Sequence, residues 1–78
     1  MMRVVVASDP DREELFAEIY YDDMQWAEII LDPLRKHFLL TIFPPMDREN
    51  WVFDLKDAES AIAEARAALE RRAYHDSS

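Results

Sequence analysis

The chain contains no cysteine and no glycine among its 78 residues. Without cysteine it can form no disulfide, no thiolate metal site and no cysteine nucleophile, a composition typical of proteins from a reducing compartment. Without glycine, tight turns that need a positive φ must use Asn or Asp. No apolar run approaches the ~20 residues of a membrane span, and the run RVVVA near the start is too short for a signal peptide. We therefore expect a soluble, cytoplasmic protein that does not bind membranes.

Basic residues are also scarce, so the formal net charge is −8. Residues 9–28 carry eight carboxylates against one basic side chain, Arg12. Such a field repels phosphates and attracts cations, so it argues against nucleic-acid binding and favours a cationic partner. A simpler interpretation is that the acidic residues keep a small protein soluble.

The residue types that support catalysis or metal binding are few. The two histidines are His37 and His75, and the acidic segment 47–50 lacks the glycine and the number of ligands of a calcium loop. Glu18 and Glu28 could imitate the paired carboxylates of a glycosidase, but a domain this small rarely forms the enclosing cleft. We therefore predict no metal, no cofactor and no enzymatic activity.

The pattern of β-forming residues predicts an α+β fold, a small antiparallel β-meander of three to four strands with a C-terminal amphipathic helix on one face. The three predicted strands are 15–21, 25–31 and 36–43. WVF, residues 51–53, is a candidate for a short fourth strand, and RVVVA is also rich in β-forming residues. An alternative is a helix over 10–19, with Asp9 as its cap and Pro10 at its first position.

The C-terminal helix is predicted over 55–72, with Asp54 as its N-cap. Its apolar residues recur every three or four positions and form one stripe. The members of the stripe are Leu55, Ala58, Ile62, Ala65 and Leu69. We expect a single domain over 1–72 and a disordered tail over 73–78.

The register of the first predicted hairpin depends on its loop. A three-residue loop at 22–24 pairs Ile19 with Ala27 and Tyr20 with Trp26. The same register sets two carboxylates, those of Glu18 and Glu28, directly opposite each other, which costs about 0.5 kcal/mol on an exposed face.

The second predicted turn, at Asp32-Pro33, pairs Asp32 with Arg35 and aligns the third strand. One face of the sheet is then smoothly apolar and is predicted to carry the helix; its residues are Ala17, Ile19, Ala27, Ile29, Phe38, Leu40 and Ile42. The opposite face, called here the outer face, mixes aromatic, apolar and acidic side chains. Its predicted members are Phe16, Glu18, Tyr20, Trp26, Glu28, Ile30, His37, Leu39, Thr41 and Phe43.

Because one helix cannot cover both faces, the outer face is the candidate binding surface. Two opposed carboxylates repel each other until a cation enters between them, and aromatic rings add cation–π attraction. We therefore predict a pocket for an Arg or Lys of another molecule. The predicted partner-binding residues are Glu18, Tyr20, Trp26, Glu28, Ile30 and His37. Trp26 fits an interface or the core equally well, whereas Trp51 is predicted in the core.

The order of segments DREELFAEIYY, WAEI, FLLTIFP and WVFDLKDA, followed by a helix, resembles small bacterial proteins of uncharacterised function over residues 11–72. The ending, strands followed by DLKDAESAIAEA, also resembles that of HicB-type antitoxins, although these usually carry a glycine-containing turn before the helix. The second resemblance implies a small protein that pairs with a toxin.

The function predicted is that of a non-catalytic, acidic protein-interaction module for a cationic or amphipathic protein partner, as in immunity proteins and antitoxins. Two alternatives remain open. One is an obligate homodimer with a structural or accessory role, and the other is an acidic mimic of nucleic acid that blocks a nucleic-acid-binding protein.

Overall fold

A computed structural model describes residues 1–7, 14–32 and 37–76, and the side chains of the helix as far as residue 72. The described chain forms a four-stranded antiparallel sheet in the order β1-β2-β3-β4, followed by one helix. The elements are β1 (Met2–Ala7), β2 (Leu15–Tyr21), β3 (Met24–Asp32), β4 (His37–Ile42) and α1 (Leu55–Asp76). The predicted α+β meander with a C-terminal helix is therefore confirmed. Among the described residues no helix is long and apolar enough to cross a membrane.

The fourth strand lies at the N-terminus rather than at 51–53. The predicted strand WVF is wrong because its aromatic side chains serve tertiary packing: Trp51 Nε1 donates to the Phe43 carbonyl oxygen at 2.7 Å, and the ring centroid of Phe53 lies 4.6 Å from that of Trp26. The alternative helix over 10–19 is wrong from residue 15 onward, where β2 begins. Its first residues lie outside the described part of the chain.

The β2–β3 hairpin reaches the predicted register by a different route. Asp22 and Asp23 form a two-residue turn with φ values of 48° and 73°, the left-handed conformation that Asp tolerates in place of glycine. The register then shifts by one residue at Ile19/Tyr20, so that Tyr20 pairs with Gln25 and not with Trp26 as predicted. The turn and the bulge together insert as many residues as the predicted three-residue loop.

The β3–β4 register differs from the predicted one by two residues. Asp32 pairs with His37 and not with Arg35, which lies outside the described residues. Side chains alternate between the faces with a period of two, so this shift leaves every residue of β4 on its predicted face. Leu40 and Ile42 therefore face the helix side of the sheet, as expected.

Helix α1 begins at the predicted position. The Asp54 carboxylate accepts a hydrogen bond from the Lys56 backbone N–H at 2.9 Å, and the Asp54 carbonyl accepts from the Ala58 N–H at 3.1 Å. The first bond satisfies an N-terminal N–H group that has no intrahelical acceptor, and the second is the first i→i−4 bond of the helix. The helix continues to Asp76, four residues beyond the predicted end and into the predicted tail; residues 77 and 78 lie outside the described chain.

The core lies between α1 and the first three strands. Its buried members are Ala17, Ile19, Trp26, Ala27, Ile29, Ala61, Ala65 and Leu69. The alanines of the helix allow it to approach the sheet closely. Because α1 packs mainly on β1 and β2, it meets β4 near the start of the strand, where Arg66 Cζ lies 5.1 Å from the ring centroid of Phe38. Leu40 and Ile42 consequently remain 49% and 58% exposed, although they are on the helix side.

We expect Leu69→Ala to lower the free energy of unfolding by about 2–5 kcal/mol, since Leu69 is fully buried and its truncation leaves a cavity. Leu55→Ala is the matched control, because Leu55 is on the same helix and 73% exposed; its effect should stay within about 0.5 kcal/mol. Urea unfolding followed by circular dichroism measures both. Equal losses for the two variants would contradict the packing described here.

Asp23→Gly should stabilise the hairpin by about 0.5–1 kcal/mol, because glycine adopts the positive φ of this turn position without steric cost. Asp23→Asn is the control that removes the charge but keeps Cβ. Thermal unfolding should rank the variants Gly above Asn. A lower melting temperature for Asp23→Gly than for Asp23→Asn would contradict the left-handed turn.

Candidate functional site

Two parallel rows of side chains cross the outer face of the sheet. The pairing of the four strands places Val5, Glu18, Glu28 and Thr41 in one row, called here the acidic row. The neighbouring row, called the apolar row, contains Ala7, Phe16, Ile30 and Leu39. Helix α1 and the rings of Trp51 and Phe53 pack on the opposite side of the sheet. Within the apolar row Phe16 is nevertheless buried, with 8% of its surface exposed, whereas Leu39 is 51% exposed.

The two glutamates of the acidic row are directly opposed, as predicted. Glu18 on β2 pairs with Glu28 on β3, and both side chains are half-buried. Their flanking neighbours in the row, Val5 and Thr41, are short and uncharged. The centre of the face therefore carries two carboxylates at facing positions on neighbouring strands, an arrangement that a cation can approach and bind.

Tyr20 lies beside Glu18 on the outer face. Its hydroxyl donates a hydrogen bond to Glu18 Oε1 at 3.3 Å. Burial, followed by the negative charge of Glu18, raises the pKa of the Tyr20 phenol above its ordinary value. The Arg3 guanidinium lies over the ring of Tyr20, with Cζ 4.7 Å from the ring centroid. The ring of Tyr20, which was predicted to bind a cation of another molecule, thus already has a cation–π contact with Arg3 of the same chain.

Trp26 is not part of this face, which corrects its assignment to the outer face in the sequence prediction. It is 4% exposed and belongs to the core, and its Nε1 donates to Met2 Sδ at 3.1 Å. The physical reason is the bulge, which adds one residue to β3 and breaks the alternation, so that Trp26 and Ala27 both lie in the core. Trp51 is half-buried against the core, close to its prediction.

Ile30 and His37 are both on the outer face but differ in position and burial. Ile30 is half-buried in the apolar row, between Phe16 and Leu39. His37 is exposed at the start of β4, opposite Asp32, and lies at a corner of the sheet away from the acidic row. The structure therefore brings together Glu18, Tyr20, Glu28 and Ile30, and leaves His37 at the margin.

The sequence prediction missed the residues that β1 contributes. Arg3 and Val5 sit opposite Tyr20 and Glu18, because β1 pairs with β2 along its whole length. The signal for β1 was present in the β-forming run RVVVA, which follows the first two residues. No signal in the sequence indicated the place of β1 in the sheet, since residues 8–14 contain no two-residue hairpin motif.

The outer face places acidic and apolar side chains next to each other. Among the described side chains, those of residues 1–7, 14–32 and 37–72, no group of three or more His, Asp or Glu converges as a metal site would. The acidic row and the apolar row instead offer adjacent strips for charged and apolar contacts. Such a pair of strips is complementary to a cationic, amphipathic surface.

We expect Glu18→Gln to lower the pKa of Tyr20, because the substitution removes the carboxylate charge that opposes ionisation of the phenol. A raised folded-state pKa means that stability is lost as pH rises above the unfolded value, so Glu18→Gln should also retain more of its stability in alkali. Absorbance titration at alkaline pH, with Tyr20→Phe to identify the signal, measures the shift. An unchanged titration would contradict the Glu18–Tyr20 contact.

Comparisons with protein-family models, curated proteins and solved structures found no match to this chain. What the outer face does is therefore inferred from its residues and their geometry.

Proposed function

We propose that this chain is a non-catalytic protein-interaction module whose outer face binds a cationic, amphipathic segment of a protein partner. The observation that supports this most directly is the acidic row with its facing Glu18 and Glu28, which runs beside an apolar row on a side of the sheet that α1 leaves uncovered. Basic side chains of the partner would meet the acidic row, and its apolar side chains would meet Ile30 and Leu39.

The proposed role of the glutamates follows from their pairing. A guanidinium can donate charge-assisted hydrogen bonds to two carboxylates at once, and its planar fork suits this geometry better than a lysine ammonium does. Binding would place the positive charge of the guanidinium between the facing positions of Glu18 and Glu28. The partner residue that we propose at this point is therefore an arginine.

Arg3 modifies the proposed site on one side. Because its guanidinium occupies the face of Tyr20, an incoming cation gains little from that ring. The incoming arginine would instead approach from the β4 side, where Thr41 presents only a short side chain next to Glu28. Affinity at this site would then depend mainly on charge and so decrease with salt.

The wider biological role is part of the same proposal. A basic partner bound by a small acidic protein is the arrangement expected of an immunity protein or antitoxin, in a bacterial cytoplasm. The net charge of −8 supports the sign of the partner's charge.

The test uses a fluorescein-labelled hexa-arginine peptide as the probe and fluorescence anisotropy as the measurement. The double substitution Glu18→Gln with Glu28→Gln should weaken binding about fivefold, the size expected for two partly screened ion pairs. It should also flatten the salt dependence. Circular dichroism verifies that the variant remains folded.

The matched control is Glu59→Gln with Glu64→Gln, which makes the same change in net charge on exposed positions of α1. If the acidic row is the site, this control should alter the affinity less than twofold, in line with long-range screening. Equal weakening by both double variants would show that the peptide responds to net charge alone, and the proposed site would be wrong.

A further inference from the structure

Strand β4 differs from the other three strands in its exposure. Leu39, Leu40 and Ile42 are 51%, 49% and 58% exposed. Leu39 is on the outer face, whereas Leu40 and Ile42 are on the helix side, so large apolar side chains are open to solvent on both faces of the same strand. A layer packed on one face of the sheet would cover only part of this set.

The backbone of β4 is open as well. The strand lies at one end of the sheet, and in the described part of the chain only β3 pairs with it. The Phe43 N–H donates to the Trp26 carbonyl at 2.9 Å, so the backbone of Phe43 faces β3. In an antiparallel ladder the direction alternates, and the N–H and C=O groups of Phe38, Leu40 and Ile42 therefore point outward from the sheet.

The sequence of β4 carries none of the usual protection of an edge strand. HFLLTI contains no Lys, Arg, Asp, Glu or Pro, and the β3–β4 register runs without a bulge. The other edge strand, β1, has Arg3 within it, and α1 covers its inner face. Natural proteins blunt free edges with charge, proline or bulges, and an unprotected apolar edge is a site of pairing with another chain.

We propose that β4 pairs with β4 of a second copy of this chain across a two-fold axis at Leu40, which joins the two sheets into one antiparallel sheet of eight strands. Because outward-facing residues must pair with outward-facing residues, this axis sets Leu40 against the partner's Leu40 and Phe38 against the partner's Ile42. On the outer face, Leu39 then lies against the partner's Thr41. All of these pairs are free of charge.

The distribution of charge favours a second copy at this edge and disfavours one on the outer face. Two outer faces brought together would place Glu18 and Glu28 of both copies in contact. In the β4 pairing, by contrast, the nearest row carboxylates are the two copies of Glu28, three strand spacings across the sheet and two residues along it, or ~16 Å apart. That separation exceeds the Debye length of ~8 Å at physiological ionic strength, so the repulsion between the two acidic chains is largely screened.

Pairing of β4 also accounts for the exposed side chains better than a docked helix would. An amphipathic helix beside α1 would cover Leu40 and Ile42 but leave Leu39 and the outward backbone groups of β4 in water. An added strand contacts side chains on both faces and supplies partners for those backbone groups. A strand from an unrelated partner could do this too, and the test below separates that case from self-pairing.

The absence of cysteine permits a direct test. Leu40→Cys should form an intermolecular disulfide under mild oxidation, because residues paired across the axis have Cα atoms ~5.5 Å apart, within the range of a disulfide. Ile42→Cys is the matched control, since it lies on the same face and is at least as exposed. Its distance from the partner's Ile42 is four residues along the strand, or ~13 Å, which is beyond disulfide reach.

Sedimentation equilibrium of the unmodified chain should give twice the monomer mass. Leu40→Lys should give the monomer mass with an unchanged circular dichroism spectrum, because a lysine ammonium at the axis would face its own copy. Ser60→Lys, an exposed position on α1, should leave the dimer intact.

Several results would overturn the proposal. They are a monomeric unmodified chain at high micromolar concentration, the absence of a disulfide in Leu40→Cys, and equal disulfide yields in Leu40→Cys and Ile42→Cys. The cysteine pair decides the question even if Leu40→Lys fails to fold. Pairing through β4 leaves the acidic row open. If β4 does not pair, peptide binding at Glu18 and Glu28 is therefore unaffected, and each proposal is tested independently of the other.

Discussion

In the described chain a single helix packs on a sheet of four strands, and it is too narrow to cover one whole face. The exposed apolar residues of β4 follow from this difference in width. Four strands at a spacing of ~4.8 Å make a sheet roughly 19 Å wide, whereas a helix with its side chains is about 10 Å across. Helix α1 packs over β1 and β2 and reaches β3 only marginally. The half of the helix-side face over β1 and β2 is therefore well packed, whereas Leu39, Leu40 and Ile42 of β4 remain about half exposed.

An aromatic cluster near the turn of the β2–β3 hairpin lies next to the start of α1. Phe53 packs against Tyr21, Trp26 and Trp51, with ring centroids 4.6 to 5.3 Å apart, and the helix begins two residues later. The bulge makes this cluster possible, because it turns Trp26 toward the core. A regular β3 would place the indole on the outer face and leave Phe53 without its nearest partner.

The outer face, the helix and strand β4 differ in their charge, and therefore in the kind of partner that each could bind. The outer face has an acidic centre, formed by Glu18 and Glu28. The helix segment 55–72 is balanced, with four basic and four acidic side chains, and the segment HFLLTI of β4 carries no acid and no Lys or Arg. An acidic protein with a net charge of −8 can pair with itself most easily where its own charges are absent. The outer face then remains for a partner of opposite sign, as proposed above.

The local sequence was sufficient for the helix and for three of the strands. The N-cap at Asp54 and the spacing of apolar residues in α1 are local signals, and so is the change from a period of two to one of 3.6. The face to which each β4 residue points was also predictable, because a period of two makes the face insensitive to a register shift of two residues. The facing of Glu18 and Glu28 came from matching apolar residues across a single hairpin.

The tertiary structure alone decided the features that depend on non-local contacts. Neither the pairing of β1 with β2 nor the contact of Arg3 with Tyr20 has a local signal, since each joins residues far apart in the chain. The bulge that buries Trp26 depends on how an indole packs against Met2 and Phe53, which no propensity records. The exposure of β4 results from the packing of α1 over β1 and β2, at the other side of a sheet that is wider than the helix. The sequence by itself thus determined which segments are strands and helix and which faces are apolar, because these depend on local periodicity; the packing of the whole chain determined which apolar residues are covered.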